Sequence, residues 1–148
     1  MGEYLFADTL RPLREDLFVI DTQGRPVALR GSRCLQCGGV AFPARAICSR
    51  CGLDATLVPH RMSTQGVVHA STVARVPSAL GHVAPYAYGY VDLPADGTRI
   101  FAPLSGAEIT SFAPGVQVRV VFGEIAAAAM SGMQGYSFTP DVQEAGDG

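Results

Sequence analysis

Four cysteines, Cys34, Cys37, Cys48 and Cys51, lie in the run RCLQCGGVAFPARAICSRCG and nowhere else in the chain. Two C-x2-C pairs separated by ten residues have the spacing that gathers four thiolates around one tetrahedral ion. Gly38 and Gly52 each follow the second cysteine of a pair, where a tight knuckle must turn without a Cβ clash. The other readings are disulfides and a thioredoxin-like redox pair. Paired C-x2-C spacing favours a structural Zn²⁺, or iron in the same thiolate cage. Four sulfurs close the coordination sphere, so an open catalytic metal position is not expected.

That assignment limits the chemistry left to the chain. Thiolytic or Claisen chemistry needs a thiolate nucleophile, an acid/base and an oxyanion hole. With the cysteines committed to metal the first requirement is missing. No G-x-S-x-G, H-E-x-x-H or Gly-rich phosphate loop occurs. Three histidines remain: His60 in a connecting stretch, His69 in a strand, and His82 in a loop entering a strand. A lone histidine is more often structural than catalytic; His82 is the candidate exception because such loops carry ligand contacts in barrels. Asp92 and Asp96 flank a turn and are expected to be solvated.

The chain has 148 residues, 48% of them hydrophobic and 16% charged, which suits a folded protein with apolar surface to offer a partner. The longest apolar run, Ile125 to Met130, is too short for a transmembrane helix. The first residues, MGEYLFADTLRPLRED, lack a signal-peptide core, and the expectation is a cytoplasmic protein whose thiols stay reduced. All eleven basic residues are arginine, and the net charge is −2. Arg25, Arg30, Arg33, Arg45 and Arg50 fall between Thr22 and Leu53, a stretch without an acid. They either offset a Zn(Cys)₄ centre, whose formal charge is about −2, or form a patch for phosphate oxygens.

The positioning elements read as mainly β. Phe6, Leu10, Leu13 and Leu17 make a helical stripe, interrupted by Pro12, in an N-terminal arm over residues 1–33. A hairpin turning at Thr22-Gln23-Gly24-Arg25 completes the arm. Ribbon and crossover occupy 34–62. Short strands follow over 63–140: Gln65 to Val76, Tyr86 to Leu93, Arg99 to Leu104, Val116 to Ile125, and Gly135 to Thr139. Five short strands with little helix between them fit a small barrel of the OB type. Residues 141–148 form an acidic tail expected to fray.

Tyr86, Tyr88 and Tyr90 alternate and must share one strand face, either in the core, at a partner interface or against an aromatic ligand. Ala126 to Met133, with Met130 and Met133, is either a short helix covering the barrel end or a loop set against a partner or an acyl-chain passage.

The ribbon followed by this barrel resembles the acyl-CoA-associated zinc-ribbon/OB-fold family. The resemblance rests on Cys34, Cys37, Gly38, Phe42, Pro43, Arg45, Cys48, Cys51 and Gly52, then Gly66-Val67-Val68, Tyr86 to Leu93, Gly97 to Leu104 and the closing Tyr136-to-Pro140 segment. It covers residues 30–140; the Asp21-to-Pro26 hairpin turn departs from the pattern. The resemblance implies a rubredoxin-like zinc ribbon on a five-stranded OB barrel. It also implies a non-catalytic zinc-binding subunit of an acyl-CoA thiolase (acyltransferase) complex, partnered by a thiolase-fold catalytic subunit in an α2β2 hetero-oligomer. Such a subunit would stabilise its partner and help shape the CoA-thioester site for an aromatic or sterol-like β-ketoacyl-CoA. Arg45, Arg50, His82, Tyr86, Tyr88, Met130 and Met133 are the candidates for CoA or partner contact. The rival reading is a single-stranded nucleic-acid-binding module, since ribbons and OB barrels both serve that role. An acidic sequence pI of about 5.8 and the absence of lysine weigh against it.

Overall fold

The computed structural model describes residues 11–12, 15–125 and 132–141. In chain order its elements are β1 (Arg11–Pro12), a 3-10 turn (Glu15–Leu17), β2 (Phe18–Ile20), β3 (Pro26–Cys34), β4 (Val40–Ala41) and β5 (Leu57–Arg61). Then come β6 (Gln65–Ala74), β7 (Tyr86–Leu93), β8 (Thr98–Leu104), β9 (Gln117–Glu124) and β10 (Met133–Pro140).

The last five strands close on themselves. β6 pairs with β7, β7 with β8, β8 with β10, β10 with β9, and β9 returns to β6. All these pairings are antiparallel except β8–β10, and together they close the ring. β6 serves two neighbours because its register shifts between Val68 and Ala70, a bulge that bends the strand around the barrel. The expected strands match closely, and the reason is local: Ile100, Ala102 and Leu104 are buried while Arg99, Phe101 and Pro103 between them are exposed. Val68, Val91, Leu93, Val118 and Phe138 fill the centre at 2% exposure or less.

The smaller sheet is built on β3. It pairs antiparallel with β2 on one flank, and with β4 and β5 farther along. The expected hairpin forms: Asp21 Oδ1 accepts N–H bonds from Gln23 and Arg25, and Gly24 takes a φ of 80°. Two expectations are corrected. The crossover contains strand β5, because Leu57–Arg61 has the edge of β3 to pair with. Within the described residues the N-terminal arm holds no α-helix. Arg11 and Pro12 pair in parallel with Met133 and Gln134, and one 3-10 turn ends at Leu17. Proline lacks the N–H that a helix interior requires but is tolerated in a short edge strand. Phe6, Leu10 and Leu13 lie outside the described residues, as do Met130 and residues 142–148.

One hydrophobic core runs through both sheets. Leu17, Phe18, Leu29 and Met62 join the barrel residues in it. Phe18 meets Phe122 edge-on at 5.8 Å between ring centroids, and Phe42 meets Tyr136 at 5.7 Å. A polar strut reinforces this seam. Asp96, in the β7–β8 turn, accepts bonds from His60 Nε2 at 2.8 Å and the Ser63 N–H at 2.7 Å. With only 6% of its side chain exposed, Asp96 is not the solvated turn residue expected. Each buried apolar side chain is worth about 1.5–3 kcal/mol and each such hydrogen bond about 1 kcal/mol. The apolar seam therefore supplies most of the cohesion, and the strut fixes orientation.

Candidate functional site

The two C-x2-C pairs form matching knuckles. In the first, the Cys37 N–H donates to Cys34 Sγ (3.5 Å), the Gly39 N–H to Cys37 Sγ (3.4 Å), and the Gly38 N–H to the Cys34 carbonyl (2.8 Å). In the second, the Arg50 and Cys51 N–H groups both donate to Cys48 Sγ at 3.4 Å, and the Gly52 N–H to the Cys48 carbonyl at 3.0 Å. Gly38 and Gly52 hold φ values of 78° and 82°, the left-handed region their positions anticipated. The first knuckle leaves strand β3, whose last residue is Cys34; the Cys34 N–H to Gly39 carbonyl and Leu35 N–H to Thr56 carbonyl bonds pin its base.

These knuckles bring the four Sγ atoms within 4.8 Å of one another. Cys37 Sγ and Cys48 Sγ are 3.7 Å apart, against roughly 3.8 Å for the edge of a tetrahedron with metal–sulfur bonds of about 2.3 Å. The donor set is all soft sulfur, and backbone N–H groups aim at it, as thiolates require. The Cys51 and Arg50 amides hold the Cys48 thiol down to about 6, whereas burial beside the other sulfurs pushes Cys51 up to about 12. Four adjacent sulfurs cannot all ionise unaided; a dication in their midst removes that conflict. The residues present fit a tetrahedral thiophilic ion.

Arg45 and Arg50 are both exposed on the ribbon. Their backbone N–H groups meet Ser32 Oγ and Cys48 Sγ, and neither guanidinium makes an ion pair among the described residues. Met133 opens β10, half-buried.

His82, Tyr86 and Tyr88 are brought together on the outside of the barrel. Ala87, Gly89, Val91 and Leu93 of β7 face inward, so Tyr86, Tyr88 and Tyr90 face outward, and the core reading of these tyrosines is withdrawn. His82 stacks on Tyr86 (5.0 Å), Tyr86 neighbours Tyr88 (6.0 Å), and Phe101 of β8 contacts both Tyr88 (5.4 Å) and Tyr90 (5.6 Å). The sequence reading missed Phe101; its register opposite Tyr90 is the signal that places it. His82 Nδ1 lies 2.7 Å from Ser78 Oγ, which also accepts the Leu80 and His82 N–H groups. With both acceptor positions of Oγ taken, the serine O–H donates to Nδ1, which leaves Nε2 as the ring's N–H donor. A serine so engaged is a loop staple rather than a nucleophile. The cleft of ≈390 Å³ between β6 and the β7–β8 turn is lined by Ser63, Gln65, Pro94, Gln117 and Asp141 among others, with no thiol or histidine to act as a nucleophile.

Fold and site together define a two-module protein, a Cys₄ zinc ribbon on a five-stranded OB barrel. Residues 23–57 match the ChsH2 rubredoxin-like zinc ribbon domain and residues 59–123 the ChsH2 C-terminal OB-fold domain. The chain belongs to this DUF35 family of zinc-ribbon/OB-fold proteins. It is 32% identical over 111 residues to a DUF35 domain-containing scaffold protein of Methanothermobacter thermautotrophicus, covering 74% of this chain and 83% of the relative. It is 38% identical over 93 residues to the benzoylsuccinyl-CoA thiolase subunit BbsA of Thauera aromatica, covering 62% of each. Among solved structures it resembles a chain of an Ltp2-ChsH2(DUF35) aldolase, with a TM-score of 0.61 and 26% identity over 78% of this chain and 86% of that one.

Proposed function

We propose that this protein is a non-catalytic auxiliary subunit of a thiolase-type acyl-CoA enzyme, carrying a structural zinc on Cys34, Cys37, Cys48 and Cys51. The observation that carries the reading is the convergence of all four cysteines within 4.8 Å. Every thiol in the chain is then engaged in architecture, and bond-making at a thioester falls to a partner. Relatives named as a thiolase subunit, a scaffold protein and part of an aldolase complex support such a partner.

In this reading the bound ion closes the ribbon and supplies no reaction step. The exposed Arg45 and Arg50, unpaired among the described residues, would in this reading meet the phosphates of a CoA thioester held mainly by the catalytic subunit, in turnover of an aromatic or sterol-like β-ketoacyl-CoA in the cytoplasm. The test is co-expression with a thiolase-type catalytic subunit from the same genome. The expected result is one hetero-oligomer of α2β2 composition with about one zinc per copy of this chain, and a thiolase that is poorly soluble or weakly active when expressed alone. Two proteins that elute separately, with full thiolase activity in one of them, would refute the proposal.

A further inference from the structure

The outer face of β6, β7 and β8 has a composition the ribbon's chemistry does not explain. Its centre is the ring series His82, Tyr86, Tyr88, Phe101 and Tyr90, each in contact with the next. Across the register, small residues stand opposite the tyrosines: Ala74 beside Tyr86, Thr72 beside Tyr88 and Ala70 beside Tyr90. The rings therefore rise above a low floor that another surface can approach. Tyr90 and Phe101 are about half exposed (48% and 51%), and in the adjoining loop Val76 is 70% and Val83 80% exposed. This face is also preorganised, because the Ser78 staple holds the loop and the His82 ring in one conformation.

Charge indicates the occupant. No Asp or Glu occurs from Ala55 to Val91. Asp92, the next acid, is held by Arg99 at 2.6 Å, with His69 at 3.7 Å, so the nearby carboxylate is already neutralised. At the other end, Arg75 is exposed with no ion pair among the described residues, and His82 directs an N–H away from Ser78. An uncharged aromatic centre with one arginine and an imidazole N–H at one end complements a protein surface that is apolar in the middle and carries a carboxylate at the matching edge. A nucleic-acid strand would need cations repeated along its track, and a single arginine at one end does not supply them.

We infer that the β6–β7–β8 aromatic face, with Val83 and Arg75 at its loop end, is the surface on which the catalytic subunit docks. The inference rests on the auxiliary-subunit reading and adds where the contact lies. The aromatic rings act as anchors and Arg75 steers the encounter.

The experiment measures binding of the purified chain to a thiolase-type catalytic subunit from the same genome by biolayer interferometry, at two salt concentrations. Variants are Val83→Glu, the double variant Tyr90→Ser/Phe101→Ser, Arg75→Glu and, on the ribbon, Leu53→Ser. Zinc content and melting temperature of each are checked first. Val83 is in an exposed loop, so its variant reports even if the double variant fails to fold. The expected result is a loss of affinity on the order of tenfold or more for Val83→Glu and the double variant, with Leu53→Ser unchanged. Arg75→Glu is expected to slow association and to remove its dependence on salt. Wild-type affinity in Val83→Glu, with loss in Leu53→Ser, moves the contact to the ribbon; it overturns the inference and leaves the auxiliary-subunit reading standing. Loss of single-stranded oligonucleotide binding with subunit binding intact assigns the face to nucleic acid and also overturns the inference. No binding by the wild-type chain removes the reading and the inference together.

Discussion

A sulfur atom can act as nucleophile or as ligand, and in this chain its surroundings decide between the two. Reactive cysteines sit partly exposed and near positive charge. Here Cys34 and Cys48 are buried, and all four sulfurs share one small volume. Because a site of this kind exists only when the chain is folded, ion binding contributes directly to folding free energy. Cys34→Ser is therefore expected to give insoluble or unfolded protein with less than about one zinc per chain, seen by metal analysis and circular dichroism. A soluble, folded Cys34→Ser protein would contradict this. Gly52 isolates a second effect. An added Cβ would meet nothing within 4 Å, so the cost of Gly52→Ala comes only from its φ of 82°. The expected loss is about 1–2 kcal/mol in chemical denaturation, with zinc retained.

At the level of elements, the barrel strands were legible because alternation of buried and exposed residues is a local signal. Alternation does not say which side is the core, and β7 shows why. Its inward residues include Ala87 and Gly89, far smaller than the outward tyrosines. Gly89 is required there because a Cβ would strike the Ala70 carbonyl, brought close by the β6 bulge. That contact depends on pairing between strands and is invisible along one segment. The same holds for β5, where Pro59 reads as a connector, and for the His60–Asp96 strut, whose partners are 36 residues apart. The apolar spacing around Leu13 read as a helix because spacing alone cannot register that β10 offers Arg11 and Pro12 a pairing edge.

Tyr136 of β10 packs its ring on Phe42 beside the smaller sheet and donates its hydroxyl to the Phe101 carbonyl of β8 at 3.2 Å. Burial raises its pKa above the usual tyrosine value of 10.0. An unfolded chain then releases the phenolic proton before the folded one does. Between these two pKa values the folded state holds more protons, so stability is full below about pH 10 and falls as pH rises above it. The chain has no lysine but has four other tyrosines, so comparison with Tyr136→Phe is needed to isolate this one. Melting temperature is expected to drop as pH rises above about 10, and Tyr136→Phe to lessen the drop. An equal drop in both proteins would locate the effect elsewhere.

On the scale of the whole molecule, ribbon and barrel form one packed body with a shared core, which suits a rigid surface offered to a larger enzyme. The ion site was readable from four residues and their spacing. The aromatic face was half readable: the tyrosine stripe was visible, while Phe101, the Ser78 staple and the outward direction required the closed sheet. The central claim is that this chain makes no thioester bond itself and is needed by a subunit that does. The most direct measurement is thiolytic turnover of a β-ketoacyl-CoA by the purified thiolase-type subunit, titrated with this protein. The account predicts a saturable rise in rate with added chain and none from the chain alone. A rate that ignores the added protein, or turnover by this chain in isolation, would contradict it.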